Sequence, residues 1–253
     1  MKVVGIIPAR YKSSRFPGKP LCDICGKKMV ERVYENCKEV KEFAEVYIAT
    51  DDTRIYEFCT QKNINVKMTS SQHMTGTDRI AEVAEMIDAD LYVNIQGDEP
   101  LLEPEVICQA ILPFYKDKKL QVSNLMTAIK DPVDVVNNTV PKVITNKEGR
   151  GIYLTRAMAP YPKGKLDYTY YKQVCVYGFT KEALRFYADY GKEFGKAKIE
   201  QIEDIELLRF IENGYEVQFV EVQTASVAVD TIKDLERVRS LVLEKQKQSE
   251  MEG

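Results

Sequence analysis

Residues 3–7 form an apolar run, Val3 to Ile7, with no polar side chain to turn toward water. Such a run reads as a strand buried on both faces, the kind that a helix-flanked parallel sheet contains. It opens at once into Pro8-Ala9-Arg10-Tyr11-Lys12-Ser13-Ser14-Arg15-Phe16-Pro17-Gly18-Lys19-Pro20-Leu21, a loop with four cations, two serine hydroxyls and a glycine. Open α/β sheets bind ligands just outside the carboxyl ends of their strands. Four positive charges and free backbone N–H groups at that place want a polyanion, and a nucleoside triphosphate is the obvious one.

The rest of the chain continues the alternation of short apolar segments with helical patterns. Strands are expected at Glu45–Thr50, Asn65–Met68, Leu91–Ile95, Ser123–Ile129 and Glu216–Val222. Helices are expected at Val30–Val40, up to about Gln61, and at Asp78–Ile87, Pro104–Tyr115, Lys181–Tyr190, Ile199–Asn213 and Thr231–Lys247. That order predicts an α/β fold with a mostly parallel sheet and crossover helices. Between about residues 140 and 180 the pattern changes. Lys142–Thr145 and Gly151–Thr155 read as a hairpin and Tyr171–Phe179 as a further strand, an antiparallel insertion within a single domain spanning 1–253. Ile152, Tyr153, Leu154, Val174 and Val176 give this insertion more apolar surface than a two-stranded hairpin can bury alone, so it is expected to pair two copies of the chain as a homodimer.

Composition narrows the chemistry. A net charge of −3 makes a nucleic-acid partner unexpected, so the basic loop is a local device on a mildly acidic protein. No apolar stretch approaches the roughly 20 residues that span a bilayer, and the chain opens on a strand with no charged-then-apolar leader, so no membrane insertion and a cytoplasmic location are expected. Six scattered cysteines fit small buried hydrophobes in a reducing compartment, and the Cys22–Cys25 spacing has no second pair to complete a zinc site. A single histidine, His73, leaves carboxylates, lysines and arginines to carry the chemistry.

Neither Gly-x-Gly-x-x-Gly nor Gly-x4-Gly-Lys-Ser/Thr occurs, which removes the main support for a dehydrogenase or a P-loop enzyme. Two further features fall at strand ends. In Gln96-Gly97-Asp98-Glu99-Pro100, Asp98 can hold a divalent cation and Gly97 lets the backbone approach a ligand. In Val229-Asp230-Thr231, Asp230 is either the N-cap of the last helix or a second carboxylate on the same metal.

Together these segments resemble the 3-deoxy-manno-octulosonate (Kdo) cytidylyltransferases. The loop Pro8 to Leu21, Ala49-Thr50-Asp51, Gly76-Thr77-Asp78-Arg79, Gln96 to Pro100, and Val229-Asp230-Thr231 with Asp234-Leu235-Glu236-Arg237 match in order over nearly the whole chain. The resemblance implies a nucleotide-diphospho-sugar transferase-like fold. It also implies Mg2+-dependent transfer of CMP from CTP to a sugar-acid acceptor with release of pyrophosphate, in lipopolysaccharide or capsule synthesis. Carried over, it puts Arg10, Ser13, Arg15 and Lys19 on the triphosphate, with Ala9, Arg79 and Gln96 also toward the nucleotide. It makes Arg10, Lys19 and Asp98 catalytic, places Mg2+ on Asp98 and Asp230, and assigns Gln96, Gln173, Tyr177 and Glu203 to the sugar. Phosphoryl-type transfer needs positioning and charge neutralisation more than a proton-transfer specialist, so a chain with one histidine suffices.

The departures from the family pattern lie at the sugar end. Gln173 stands where a His is usual, Leu207 where a Gln is usual, and Ala225-Ser226-Val227-Ala228 replaces Pro-Gly-Thr-Gly. If Gln173 and Leu207 line the pocket, an acceptor lacking or displacing one polar group of Kdo is expected. The alternatives left open are a different acceptor and a nucleotide-binding protein without catalysis.

Overall fold

The computed structural model describes residues 1–12, 16–164, 166–224 and 226–252, with side chains up to residue 247 in the final helix. Ser13, Arg15 and Ala225 lie outside the described residues. β1 (Val3–Ala9) is the expected first strand, buried along both faces. A short hairpin, β2 (Asp23–Ile24) and β3 (Lys27–Lys28), leads into α1 (Met29–Lys38), followed by β4 (Phe43–Thr50), α2 (Thr53–Gln61), β5 (Val66–Met68), α3 (Gly76–Met86) and β6 (Leu91–Ile95). Then come α4 (Pro104–Cys108), α5 (Leu112–Lys116), β7 (Val122–Ala128), α6 (Pro132–Val136), β8 (Lys142–Thr145), β9 (Gly151–Thr155) and β10 (Tyr171–Phe179). The chain closes with α7 (Lys181–Phe194), α8 (Lys198–Glu203), α9 (Leu208–Glu212), β11 (Val217–Glu221) and α10 (Ile232–Glu252).

The main sheet runs β11-β7-β10-β6-β1-β4-β5, with the β8–β9 hairpin attached through β8 to β10. β1 pairs in parallel with β4 on one side and β6 on the other. The chain therefore leaves β1 toward one edge and later returns to its other flank, and the crevice between the ends of β1 and β6 is a topological switch point. The loops that follow these two strands carry the cationic segment and Asp98.

Alternation along β1 sends Val3 and Ile7 to one face, beneath α1, α2, α4 and α5, and Val4 and Ile6 to the other, beneath α3, α7 and α9. A third cluster joins Ile24 and Met29 to Val229, Leu235, Val238 and Val242, so α10 docks on the β2–β3 hairpin and holds the Val229-Asp230 segment in place.

Three expectations change. Pro104–Tyr115 is two short helices, because Pro113 sits in the first turn of α5, where its missing N–H and fixed φ suit a new start and not a continuation. Ile199–Asn213 is also two helices, broken at Asp204, whose φ of 50° lies in the left-handed region. The third concerns the antiparallel segment. The β8–β9 hairpin forms as expected, but β10 is inserted between β6 and β7 and is antiparallel to both. Leu154, Val174 and Val176 are therefore buried inside the protomer, whereas Ile152 keeps 57% of its surface exposed.

Candidate active site

The cationic loop is closed by its own backbone. Gly18 N–H donates to the Tyr11 carbonyl at 2.8 Å, and Gly18 takes φ 73° to start the 3-10 turn Lys19–Leu21. This conformation favours glycine, and a Cβ here would also press on the Tyr11 hydroxyl at 3.0 Å. The turn aims Lys19 inward, where Nζ lies 2.8 Å from Asp98 Oδ2 and 3.3 Å from Asp230 Oδ1. Val229 N–H donates to the Asp98 carbonyl at 2.8 Å, so the two carboxylate-bearing segments are tied together by backbone.

Thr231, and not Asp230, caps α10. Asp234 N–H donates to Thr231 Oγ1 at 3.3 Å, while Asp234 Oδ2 accepts from the backbone N–H groups of Asp230 and Thr231. That is a reciprocal capping arrangement, and it leaves the Asp230 carboxylate to face Lys19.

Gly97 lies against the floor of the cleft, where a Cβ would come within 3.0 Å of the Pro8 carbonyl oxygen. Arg10 leans across the cleft mouth and donates to the carbonyls of His73 (3.2 Å) and Thr75 (2.8 Å), the residues that lead into α3. The resulting cleft, about 410 Å³, is walled by Ala9, Arg10, Lys19, Gln96, Asp98 and Glu206.

Glu206 is the residue that sequence reasoning left off the candidate set. Its carboxylate accepts from Gly76 N–H (3.3 Å), Thr77 N–H (3.0 Å) and the Thr77 hydroxyl, at the N-terminus of α3. Burial raises its carboxyl above the usual range against the pull of these donors. The helical pattern over 199–213 does not reveal which of its carboxylates turns inward. Glu99, beside Asp98, is pushed up to about 7 by burial and by its neighbour's charge.

The remaining expected residues divide. Gln96 lines the cleft, whereas Tyr177 is buried near Cys175 and Glu206, its phenol pushed well up chiefly by burial. Arg79 is fully buried behind the loop, 3.1 Å from Asp51 and hydrogen-bonded to Thr69. Glu203 is not brought into the cleft. It accepts from the Thr155 hydroxyl (2.6 Å) and Arg156 N–H (2.8 Å) and pins the end of β9 to α8. Gln173 donates to Asn124 Oδ1 at 3.2 Å, and Leu207 is 1% exposed in the core. His73 pairs with Glu82, away from the carboxylates. The six cysteines are free thiols, Cys37 and Cys59 buried and the others partly so.

Comparison with known proteins agrees with this geometry. Residues 4–221 match the model of a family described as cytidylyltransferase. A 3-deoxy-manno-octulosonate cytidylyltransferase of Geobacter metallireducens is 41% identical over 94% of this chain and 96% of its own length. Another, from Solibacter usitatus, is 39% identical over 95% and 94%. The chain belongs to the 3-deoxy-manno-octulosonate cytidylyltransferase family. It is accordingly a nucleotidyltransferase. A solved CMP:2-keto-3-deoxy-manno-octonic acid synthetase, in complex with CTP, superposes with a TM-score of 0.90 at 36% identity, covering 97% of this chain and all of that one. A 4-diphosphocytidyl-2C-methyl-D-erythritol synthase from Anaerococcus prevotii shares the fold alone, at TM-score 0.63 and 17% identity.

Proposed function

We propose that this chain transfers CMP from CTP to Kdo, releasing pyrophosphate, and that the cleft between the ends of β1 and β6 is where it does so. The observation that carries the reading is the convergence of Lys19, Asp98 and Asp230 on one point beside Arg10. The relatives named for Kdo and the solved relative holding CTP support both substrates.

The site fits a magnesium ion. Two carboxylates already share one cation, the Lys19 ammonium, and Mg2+ is held by one or two carboxylates with substrate phosphates completing its shell. Among the described residues no group of three or more His, Cys, Asp or Glu side chains forms an all-protein metal cage, in keeping with such a shared shell. Asp98 and Asp230 would hold the ion, which when bound neutralises phosphate charge. Arg10 and Lys19 supply fixed positive charge where the bond to pyrophosphate breaks. Gln96 and Glu206 form the polar wall on which the sugar acid is oriented.

Gln173 is engaged with Asn124 and Leu207 is buried in the core, which favours Kdo over another acceptor. The test is a comparison of kcat/KM with CTP across Kdo, its deoxy analogues and shorter sugar acids, followed by pyrophosphate release. Kdo should lead the panel. Absence of turnover with Kdo would overturn the assignment.

The enzyme is further read as a cytoplasmic homodimer. No described helix is long and apolar enough to cross a membrane. Ile152 (57% exposed), Tyr161 (74%), Leu166 (81%) and Ile202 (85%) put apolar surface on the hairpin, on the loop that follows it and on α8, which Glu203 fastens to the hairpin's end.

A further inference from the structure

β10 does not run evenly past β7. Val174 faces Leu125 and Tyr177 faces Asn124, so adjacent residues of β7 meet residues three apart on β10, and Cys175 and Val176 bulge between them. Bulges recur next to active sites, where they re-aim the chain. This one touches the cleft strand directly. On the side of β6, the Cys175 carbonyl accepts from Gln96 N–H at 3.4 Å, and Gln96 lines the cleft immediately before Gly97-Asp98. A single side chain fills the break toward β7. Asn124 is fully buried, and its Nδ2 donates to the carbonyls of Val174 (2.9 Å) and Val176 (2.7 Å). Gln173 Nε2 in turn donates to Asn124 Oδ1 at 3.2 Å. Both hydrogens and the oxygen of the Asn124 amide are thereby engaged, which leaves it one orientation.

We propose that Asn124 is a positioning residue for the reaction, with Gln173 as its support: the Asn124 amide sets the shape of the β10 bulge, and the bulge sets where Gln96 and the Gly97-Asp98 turn stand in the cleft. The inference rests on the reading of that cleft as the site of CMP transfer. An apolar residue could fill a sheet interior without polar obligations, whereas a buried amide costs free energy unless its groups are paired. Here its donors go to the two carbonyls that bracket Cys175, so the carbonyl between them, the one that meets Gln96, has a fixed direction. The route from Asn124 to Gln96 is main chain, and it needs no exposed side chain to keep one rotamer when substrates enter. Gln173, which replaces the usual His, reaches the cleft strand through Asn124 in this network. Misplacing a reacting group by about 1 Å can cost a hundredfold in rate, so a small movement of Gly97-Asp98 registers in kcat before it registers in nucleotide binding.

The experiment takes two readouts on the full chain: hydrogen exchange of the Gln96 amide by NMR, and kcat and KM with CTP and Kdo. It compares wild type, Asn124→Leu, Gln173→Leu and the double variant. The Gln96 amide should exchange about tenfold faster in Asn124→Leu, while the amides of β1 keep their wild-type rates. In the same variant kcat should fall about tenfold, with KM for CTP within about twofold of wild type. The double variant should match Asn124→Leu alone, because a residue acting through another adds nothing once that other is gone. Asn124→Leu leaves two buried carbonyls without their donor, which can cost the fold. Gln173→Leu, at the half-buried end of the network, then carries the test, with faster exchange at Gln96 and a smaller fall in kcat. An unchanged Gln96 amide in Gln173→Leu and in any folded Asn124→Leu would overturn the proposal. A lowered melting temperature with kcat unmoved would overturn it too, by making the amide a filler of the sheet and nothing more. Losses that multiply in the double variant would place Gln173 on the acceptor itself and overturn its role as support. A wild type that turns over no Kdo would overturn the reading of the function instead, and the Gln96 amide would still decide what the bulge holds.

Discussion

Asp98 contributes charge to the cleft and its backbone carbonyl to the bond with Val229, and substitution can separate the two. Asp98→Asn keeps size and backbone, so the fold should survive while turnover with CTP and Kdo falls by about a thousandfold or more. Steady-state pyrophosphate release together with a thermal melt checks both halves, and near-normal turnover would refute the role. Gly97 makes a steric prediction. A methyl group there meets the Pro8 carbonyl at 3.0 Å, backbone that cannot swing aside. Gly97→Ala should cost about 1–3 kcal/mol in urea unfolding and weaken CTP binding by spreading the two strand ends. At this scale much was legible. Lys19, Asp98 and Asp230 stood out because each is a charged residue in a segment that follows an apolar run, where few structural duties call for a charge. Glu203 and Glu206 are hard to tell apart in sequence because both lie in one helical pattern. Only the left-handed turn at Asp204 decides which of them faces the cleft, and an aspartate is no strong signal for such a turn.

Periodicity carried most of the elements. β1, β6 and α3 appeared where apolar runs or 3.6-residue patterns put them, since burial on two faces or one leaves a plain mark on sequence. Breaks within helical patterns left weaker marks. Pro113 reads equally well as a tolerated first-turn proline or as a boundary, and packing against the sheet decides. The caps can be tested directly. Asp52 accepts from Arg54 N–H at 3.0 Å at the start of α2 and also pairs with the Arg54 guanidinium. The Arg54 side-chain bond is the main cause holding its carboxyl below the ordinary 3.8. Because the folded-state value is lowered, this contribution is present above that pH and is lost as pH falls through the folded value. Asp52→Ala should therefore destabilise by about 1 kcal/mol at pH 7, and the gap from wild type should close in strongly acidic buffer. Urea melts of both proteins at the two pH values decide it, and a gap that persists in acid would remove charge from the explanation.

For the molecule as a whole, the sequence told which segments are strands but not which strands are neighbours. β10 looked like part of an excursion, yet it fills the gap between β6 and β7, because partner choice depends on contacts far apart in the chain. Placing β10 in the sheet removes Val174 and Val176 from the surface offered to a second copy. The exposed apolar side chains of the hairpin, its following loop and α8 remain. Light scattering at micromolar protein should give twice the 29.0 kDa chain mass, and Leu166→Asp with Ile202→Asp should shift it to a monomer. A wild-type monomer would rule the dimer out. The position of β10 also bears on how the protein is made. As the chain emerges from the ribosome, β1, β4, β5 and β6 can assemble early, but the outer edge of β6 stays unpaired until residues 171–179 have been synthesised. An open apolar strand edge invites pairing with other chains, and such exposure during synthesis is where nascent proteins aggregate. A nascent chain stalled just before residue 171 should thus be held by chaperones and resist release in soluble form, whereas one stalled well beyond β11 should not.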